Sequence, residues 1–356
     1  MSREQAAAVM DRQARACAAL AAPLYADLLT RAAVDVRAGG PCAEVIADHL
    51  DAPPDAAVPL RLLGGVHALV LTGRAPELAR WYPSAGGSYR PDDAADCWAA
   101  FRAVVANDPG TLRGWLRRPP QTNEVGRANL LLAGLLYALD AVGDRPVRLI
   151  ELGASAGLNL RADRFRVEAS GFACGPADSP VRLPDAWRGG GPDWLRDAAA
   201  RHPELTVVER LGCDPTPLDP GSDDGSLALR AYVWPEHRAR AERLAGALHL
   251  ARRVPARVEP VGAAELLAGL EPQPGTLTVV WHSVMRQYVP APEWARVDAE
   301  LDRLAAAGRS DAPVAHLLFE PDLTDRGRFQ LRARIGDGPQ RLLAEAHPHG
   351  LPAWTP

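Results

Sequence analysis

The stretch Glu151-Leu152-Gly153-Ala154-Ser155-Ala156-Gly157 closes the apolar run from Val147 with an acid and a string of small residues, ahead of Leu158-Asn159-Leu160. Small residues let a backbone approach a bound nucleotide, and a helix start after such a turn offers unpaired N–H groups. Glu151, Gly153, Ser155, Gly157 and Asn159 are therefore candidate ligand contacts. Later apolar runs end on further chemistry. Asp214 follows Gly212-Cys213, where a carboxylate can accept two hydrogen bonds from ribose hydroxyls. Its plainer use is a turn cap before Pro215, with Asp219 behind it. Glu265 opens a helix after Gly262, either facing an adenine amine or complementing the helix dipole. His282, in Trp281-His282-Ser283-Val284-Met285-Arg286-Gln287-Tyr288, is a candidate general base, because an imidazole titrates near neutrality, and Tyr288 or Gln287 can hold an acceptor. Tyr232 and Trp234 offer either core packing or a stacking wall for a substrate.

The glycine turn admits three readings. As an S-adenosylmethionine site it resembles the first motif of class I methyltransferases, which implies that Glu151 faces the amino end of the cofactor while Gly153, Ser155 and Gly157 line it; Asn159 stands where the commonest form has a third glycine. The same residues satisfy G-x-S-x-G, the nucleophile turn of α/β-hydrolases, with Ser155 attacking, Glu320 or Asp322 orienting, and His347 or His349 as base. Against the hydrolase, the chain before the turn reads as helical, and an ionised Glu151 would oppose a developing oxyanion. A dinucleotide site needs G-x-G-x-x-G, but Ser155 replaces the second glycine.

Composition removes other classes. All 40 basic residues are arginine, so a pyridoxal Schiff base, a phosphate-loop lysine and a kinase lysine are excluded. A net charge of −4 offers no global attraction to nucleic acid, which leaves a small-molecule partner as the expectation. Five scattered cysteines without a C-x-x-C pair fit free thiols in a reducing cytoplasm, and His347-Pro348-His349 lacks the companions of a zinc site, so no metal is expected. The charged N-terminus and the short apolar run Leu130 to Leu139 suggest neither signal peptide nor membrane span.

The elements that would position these residues follow from periodicity. Leucine-spaced, alanine-rich segments near 4–37, 42–50, 58–72, 75–81 and 93–116 predict a helical N-terminal domain over 1–118. Thr122 or Asn123 caps a further predicted helix through Leu139. From Val147 strands alternate with helices: 147–152, 206–211, 257–261, 277–281, 314–319 and 329–335 read as strands, and 235–252, 263–270 and 292–307 as helices. The expected fold is α/β, a doubly wound, mostly parallel Rossmann-like sheet over 119–356 with an insertion at about 165–200.

In combination, Gln121-Thr122-Asn123-Glu124 through Arg127, Glu151 to Leu160, Gly212-Cys213-Asp214, Arg230 to Pro235 and Trp281 to Tyr288 resemble the bacterial domain-of-unknown-function family 2332, over nearly the whole chain. The resemblance implies a class I methyltransferase-like fold and no settled reaction. It also draws attention to Asn123 and Glu124 as substrate contacts and to Arg127 as a fork for the cofactor carboxylate.

Overall fold

The computed structural model describes residues 3–322, 324–325 and 327–356. In chain order the helices are α1 (Arg3–Ala19), α2 (Pro23–Ala38), α3 (Pro41–Val45), α4 (Val58–Leu71), α5 (Pro76–Ala79), α6 (Ala94–Asn107), α7 (Pro109–Leu116), α8 (Ala128–Val142), α9 (Asp193–Arg201), α10 (Asp223–Ala231), α11 (Arg238–Ala251), α12 (Ala263–Ala268) and α13 (Ala291–Ala307). The strands are β1 (Val147–Leu152), β2 (Arg166–Ala169), β3 (Phe172–Cys174), β4 (Arg182–Leu183), β5 (Val207–Cys213), β6 (Arg257–Glu259), β7 (Leu277–Ser283), β8 (Val314–Pro321), β9 (Phe329–Ile335), β10 (Arg341–Ala346) and β11 (Ala353–Trp354).

One compact unit runs to Thr122 and takes in Asp223–Ala241; the other comprises Asn123–Ser222 and Glu242–Pro356. The expected boundary near 118 thus moves little, but the expected 119–356 domain gives up residues 223–241. Packing explains the transfer. Tyr232 lies over Gly64 of α4, where an added Cβ would come within 2.5 Å of the ring, and Trp234 packs against Tyr25 of α2 and stacks on His237. Both aromatics therefore belong to the helical unit's own packing, and the substrate-wall reading of Tyr232 and Trp234 is replaced by the plainer one. That core also includes Leu28, Leu29, Leu62, Leu63 and Phe101. Proline opens α2, α3, α4, α5 and α7, where its missing N–H costs nothing, which splits the long predicted segments 4–37 and 93–116.

In the second unit an eight-stranded sheet runs β11-β10-β9-β8-β7-β1-β5-β6. Five strands, β6 through β8 in that order, are parallel, and β9, β10 and β11 join antiparallel. All six residues of β1 are buried, as expected of a central parallel strand covered on both faces. Ile150, Leu152, Leu211 and Val280 pack on one face against α12 and α13. On the other face α8 comes close enough that a Cβ on Gly134 would meet Leu317 at 2.8 Å. The apolar stretch Val125–Val142, long and apolar enough to cross a membrane, is 72% buried within the protein.

The 165–200 segment builds a small sheet, β3-β2-β4, followed by α9. One further expectation is sharpened and another corrected. The helix expected to start after the glycine turn is a 3₁₀ helix, Leu158–Arg164, with a kink at Arg161. The start of α8 is prepared by the Glu124 carboxylate, which accepts the Gly126 N–H at 3.1 Å, and not by Thr122 or Asn123.

Candidate functional site

The strand order reverses direction between β1 and β7, and ligands of doubly wound sheets bind beyond the carboxyl ends of strands at such a point. Here β1 ends in the glycine turn and β7 in the 284–288 loop. The turn is left-handed at three alternate residues, Gly153 (φ +66°), Ser155 (φ +54°) and Gly157 (φ +64°). Glycine is required at 157, where a Cβ would also stand 2.8 Å from Val258. Serine at 155 carries a strain of about 1 kcal/mol. Ser155→Gly is accordingly expected to stabilise the protein by about 1 kcal/mol, read as a rise in the urea midpoint at unchanged slope; a fall would show that the hydroxyl contributes more than the strain costs.

Hydrogen bonds tie this turn to its surroundings. The Ser155 N–H donates to Asp214 Oδ2 (3.1 Å), and Leu218 N–H donates to Ser155 O (3.2 Å). Asp214 Oδ1 also accepts the Thr216 N–H (2.9 Å), so the turn-cap use of this acid is realised together with a bridge from β5 to the glycine turn. Behind the turn, Asn123 Oδ1 accepts the Leu158 N–H (2.8 Å), and Asn159 Nδ2 donates to Glu124 O (3.3 Å). Asn123 and Glu124 therefore brace the turn, a different task from the substrate contact expected of them.

At and beside the turn, Glu151 Oε2, Ser155 Oγ, Asn159 Oδ1 and Trp281 Nε1 are buried polar atoms without a hydrogen-bond partner among the described residues. Glu151 is 3% exposed and sits in register between Gly212 and Trp281. Burial pushes its carboxyl up to about 8, against the smaller opposing pulls of Asn159, Arg127, Arg161 and Trp281. The Glu151 assumed to be ionised in weighing the hydrolase is thus held largely protonated at neutral pH. Arg127 lends part of that field, but its guanidinium also donates to Pro348 O (3.0 Å) and Ser283 O (3.3 Å), pinning the C-terminal segment to the end of β7.

The β7 residues part company. His282 is 1% exposed; Nδ1 donates to Glu320 Oε1 (2.8 Å), Nε2 meets His316 Nε2 (3.1 Å), and Trp294 packs edge-on to the ring. Burial first, then the neighbouring His282 and Arg334, hold His316 well below the usual imidazole range, so it stays neutral. Glu320 Oε1 also accepts the N–H groups of Met285 (3.0 Å) and Arg286 (3.3 Å). With both ring nitrogens engaged, His282 holds the loop in place and presents no free lone pair as a general base. Tyr288 is 75% exposed and Gln287 is exposed, so the expected cluster of His282, Gln287 and Tyr288 does not converge. Met285 instead lies against Gly153, where a Cβ would approach its own Cβ to 3.0 Å. Glu265 is exposed in the first turn of α12, the dipole-complementing position.

Of the hydrolase groups, Ser155 Oγ has no hydrogen-bond partner among the described residues, Glu320 holds His282, Asp322 accepts the Thr324 and Asp325 N–H groups, and His347 packs on Trp354. Among the described residues no group of His, Cys, Asp and Glu is placed to hold a metal ion. Two features escaped the sequence reading. Arg161 is a buried cation in the largely buried segment Leu158 to Phe165, and Asp163 makes a bidentate pair with Arg210 (2.5 and 2.7 Å). Charged residues alternating with Leu158, Leu160, Ala162 and Phe165 were the available signal.

Sheet order and turn together define an α/β protein of the doubly wound class with a glycine turn on its central strand. The chain belongs to the family described as "Uncharacterized protein conserved in bacteria (DUF2332)", whose model matches residues 7–354. No curated protein and no solved structure matches it.

Proposed function

We propose that this protein is an S-adenosylmethionine-dependent, methyltransferase-like enzyme acting on a small molecule, with the cofactor at the carboxyl ends of β1 and β5. The observation that carries the reading is the left-handed turn at Gly153, Ser155 and Gly157, joined to Asp214 through the Ser155 N–H, at the strand-order reversal. The residues fit such a group: unpartnered Glu151 Oε2 and Ser155 Oγ are polar atoms awaiting a partner, and half-buried Asp214 stands where ribose hydroxyls would lie. Glu151, on giving up its proton, would pair with the ligand's ammonium. The bound cofactor would supply an electrophilic methyl group. The chain's own part is to orient and to exclude water, since enclosed His282 is not free to take a proton.

That same enclosure favours a second reading, a protein that binds the cofactor without transfer chemistry. Calorimetry with S-adenosylmethionine and S-adenosylhomocysteine, on protein freed of carried-over ligand, tests the first. Micromolar binding of either is expected, weakened at least tenfold by Asp214→Ala, and binding of neither overturns the cofactor assignment. Formation of S-adenosylhomocysteine with a panel of amine, hydroxyl and thiol acceptors separates the two readings.

A further inference from the structure

Arg161 is only 3% exposed, four residues past Gly157 at the kink of the 3₁₀ helix. Its Nε–H donates to Val254 O (2.7 Å) and Nη1 to Gly157 O (2.6 Å), both neutral carbonyls. Neighbouring Arg210 has Asp163 as its counter-ion, whereas among the described residues Arg161 has no carboxylate within ion-pair distance. The acid whose field reaches it, Glu151, is the one that burial keeps protonated. A guanidinium does not shed its proton near neutrality, so this is a desolvated charge with two carbonyl hydrogen bonds and, among the described residues, no ionised partner, a costly arrangement unless an anion completes it.

The same side chain lines a cleft of about 340 Å³ together with Ala156, Leu218, Asp219, Ala256 and Val258. That volume is at the lower end of the range for small-molecule sites. Leu218, Ala251, Ala256 and Val258 give the cleft apolar side chains beside Arg161 and Asp219. Asp219 at the cleft sets one acid beside the one cation, which disfavours a dianion such as phosphate and leaves room for a single negative charge.

We propose that this cleft binds a small monocarboxylic acid, its carboxylate on the Nη2 side of Arg161 and its apolar body against Leu218, Ala256 and Val258. The cleft borders the glycine turn through Ala156, but Arg161, Leu218, Ala256 and Val258 are not cofactor contacts in the reading above, so binding of the acid and binding of S-adenosylmethionine are measured separately and either can fail alone. Calorimetry on the full chain at pH 7 with benzoate and 3-phenylpropionate, their primary amides, and inorganic phosphate is the test. The two acids are expected to bind at least tenfold more tightly than the amides or phosphate. Arg161→Gln should weaken the acids at least tenfold, and Arg161→Lys should restore part of the loss. Leu218→Trp, which fills the cleft and leaves Arg161 in place, should abolish acid binding; it decides the question should Arg161→Gln not fold. Equal binding of acid and amide, tighter binding of phosphate, no acid binding to the wild type at millimolar concentration, or unchanged acid affinity in Leu218→Trp would each overturn the proposal.

Discussion

The wild-type protein is expected to lose stability as pH rises from about 5 to about 9, and Glu151→Gln is expected to remove most of that loss. The cause is the position of Glu151 in β1, flanked by β5 and β7 and enclosed on both faces of the sheet. Burial raises its carboxyl to about 8, and the pulls of Asn159, Arg127, Arg161 and Trp281 offset only part of this. A group whose folded value lies above its unfolded one keeps a proton that the unfolded chain releases. Its contribution is complete below the unfolded carboxyl range and is lost as pH climbs through about 8. The loss by pH 9 is on the order of 4 kcal/mol. Urea unfolding of both proteins at pH 5, 7 and 9 checks this, and parallel stability curves would show that Glu151 is not the titrating group. Under the proposed function the same proton has a second reporter. A ligand ammonium that pairs with Glu151 expels it, so the binding heat at pH 7 should vary with the ionisation enthalpy of the buffer, and affinity should rise with pH up to about 8.

Asp163→Ala is expected to destabilise the protein by about 3–5 kcal/mol, enough to unfold a marginal domain. Asp163 and Arg210 have side chains 1% and 8% exposed and form two parallel hydrogen bonds, while Arg210 Nη1 also donates to Leu160 O (2.5 Å). This pair clips the 3₁₀ helix to β5 and so holds the far end of the segment that the glycine turn begins. Removing the acid leaves Arg210 charged and buried next to Arg161, which has no counter-ion among the described residues. A double variant with Arg210→Met should recover much of the loss, because it deletes the orphaned charge as well as the bond. A single-variant effect below about 1 kcal/mol would mean that solvent reaches the pair.

Strands β1, β5, β7, β8 and β9 were legible in the sequence because central parallel strands are continuous apolar runs that carry their signal locally. β10 and β11 were not, since they are short antiparallel additions whose pairing is set by β9 and by the C-terminal turn. The glycine turn was also legible, through Gly153, Ser155 and Gly157, because left-handed backbone restricts residue type at the position itself. What surrounds it was not. Whether His282 faces a substrate or Glu320 depends on which strand lies beside β7, and whether Tyr232 and Trp234 line a site depends on the packing of α10 and the segment after it.

The sequence by itself determined the α/β class, the exclusion of lysine chemistry and the place of the turn, all properties of local residue type and spacing. Tertiary structure alone decided that Glu151 is buried and protonated, that Asn123 and Glu124 are braces, and that Arg161 faces a cleft without a counter-ion. The physical reason is that desolvation and hydrogen-bond partnership are set by atoms brought together from distant parts of the chain, and no local pattern encodes them.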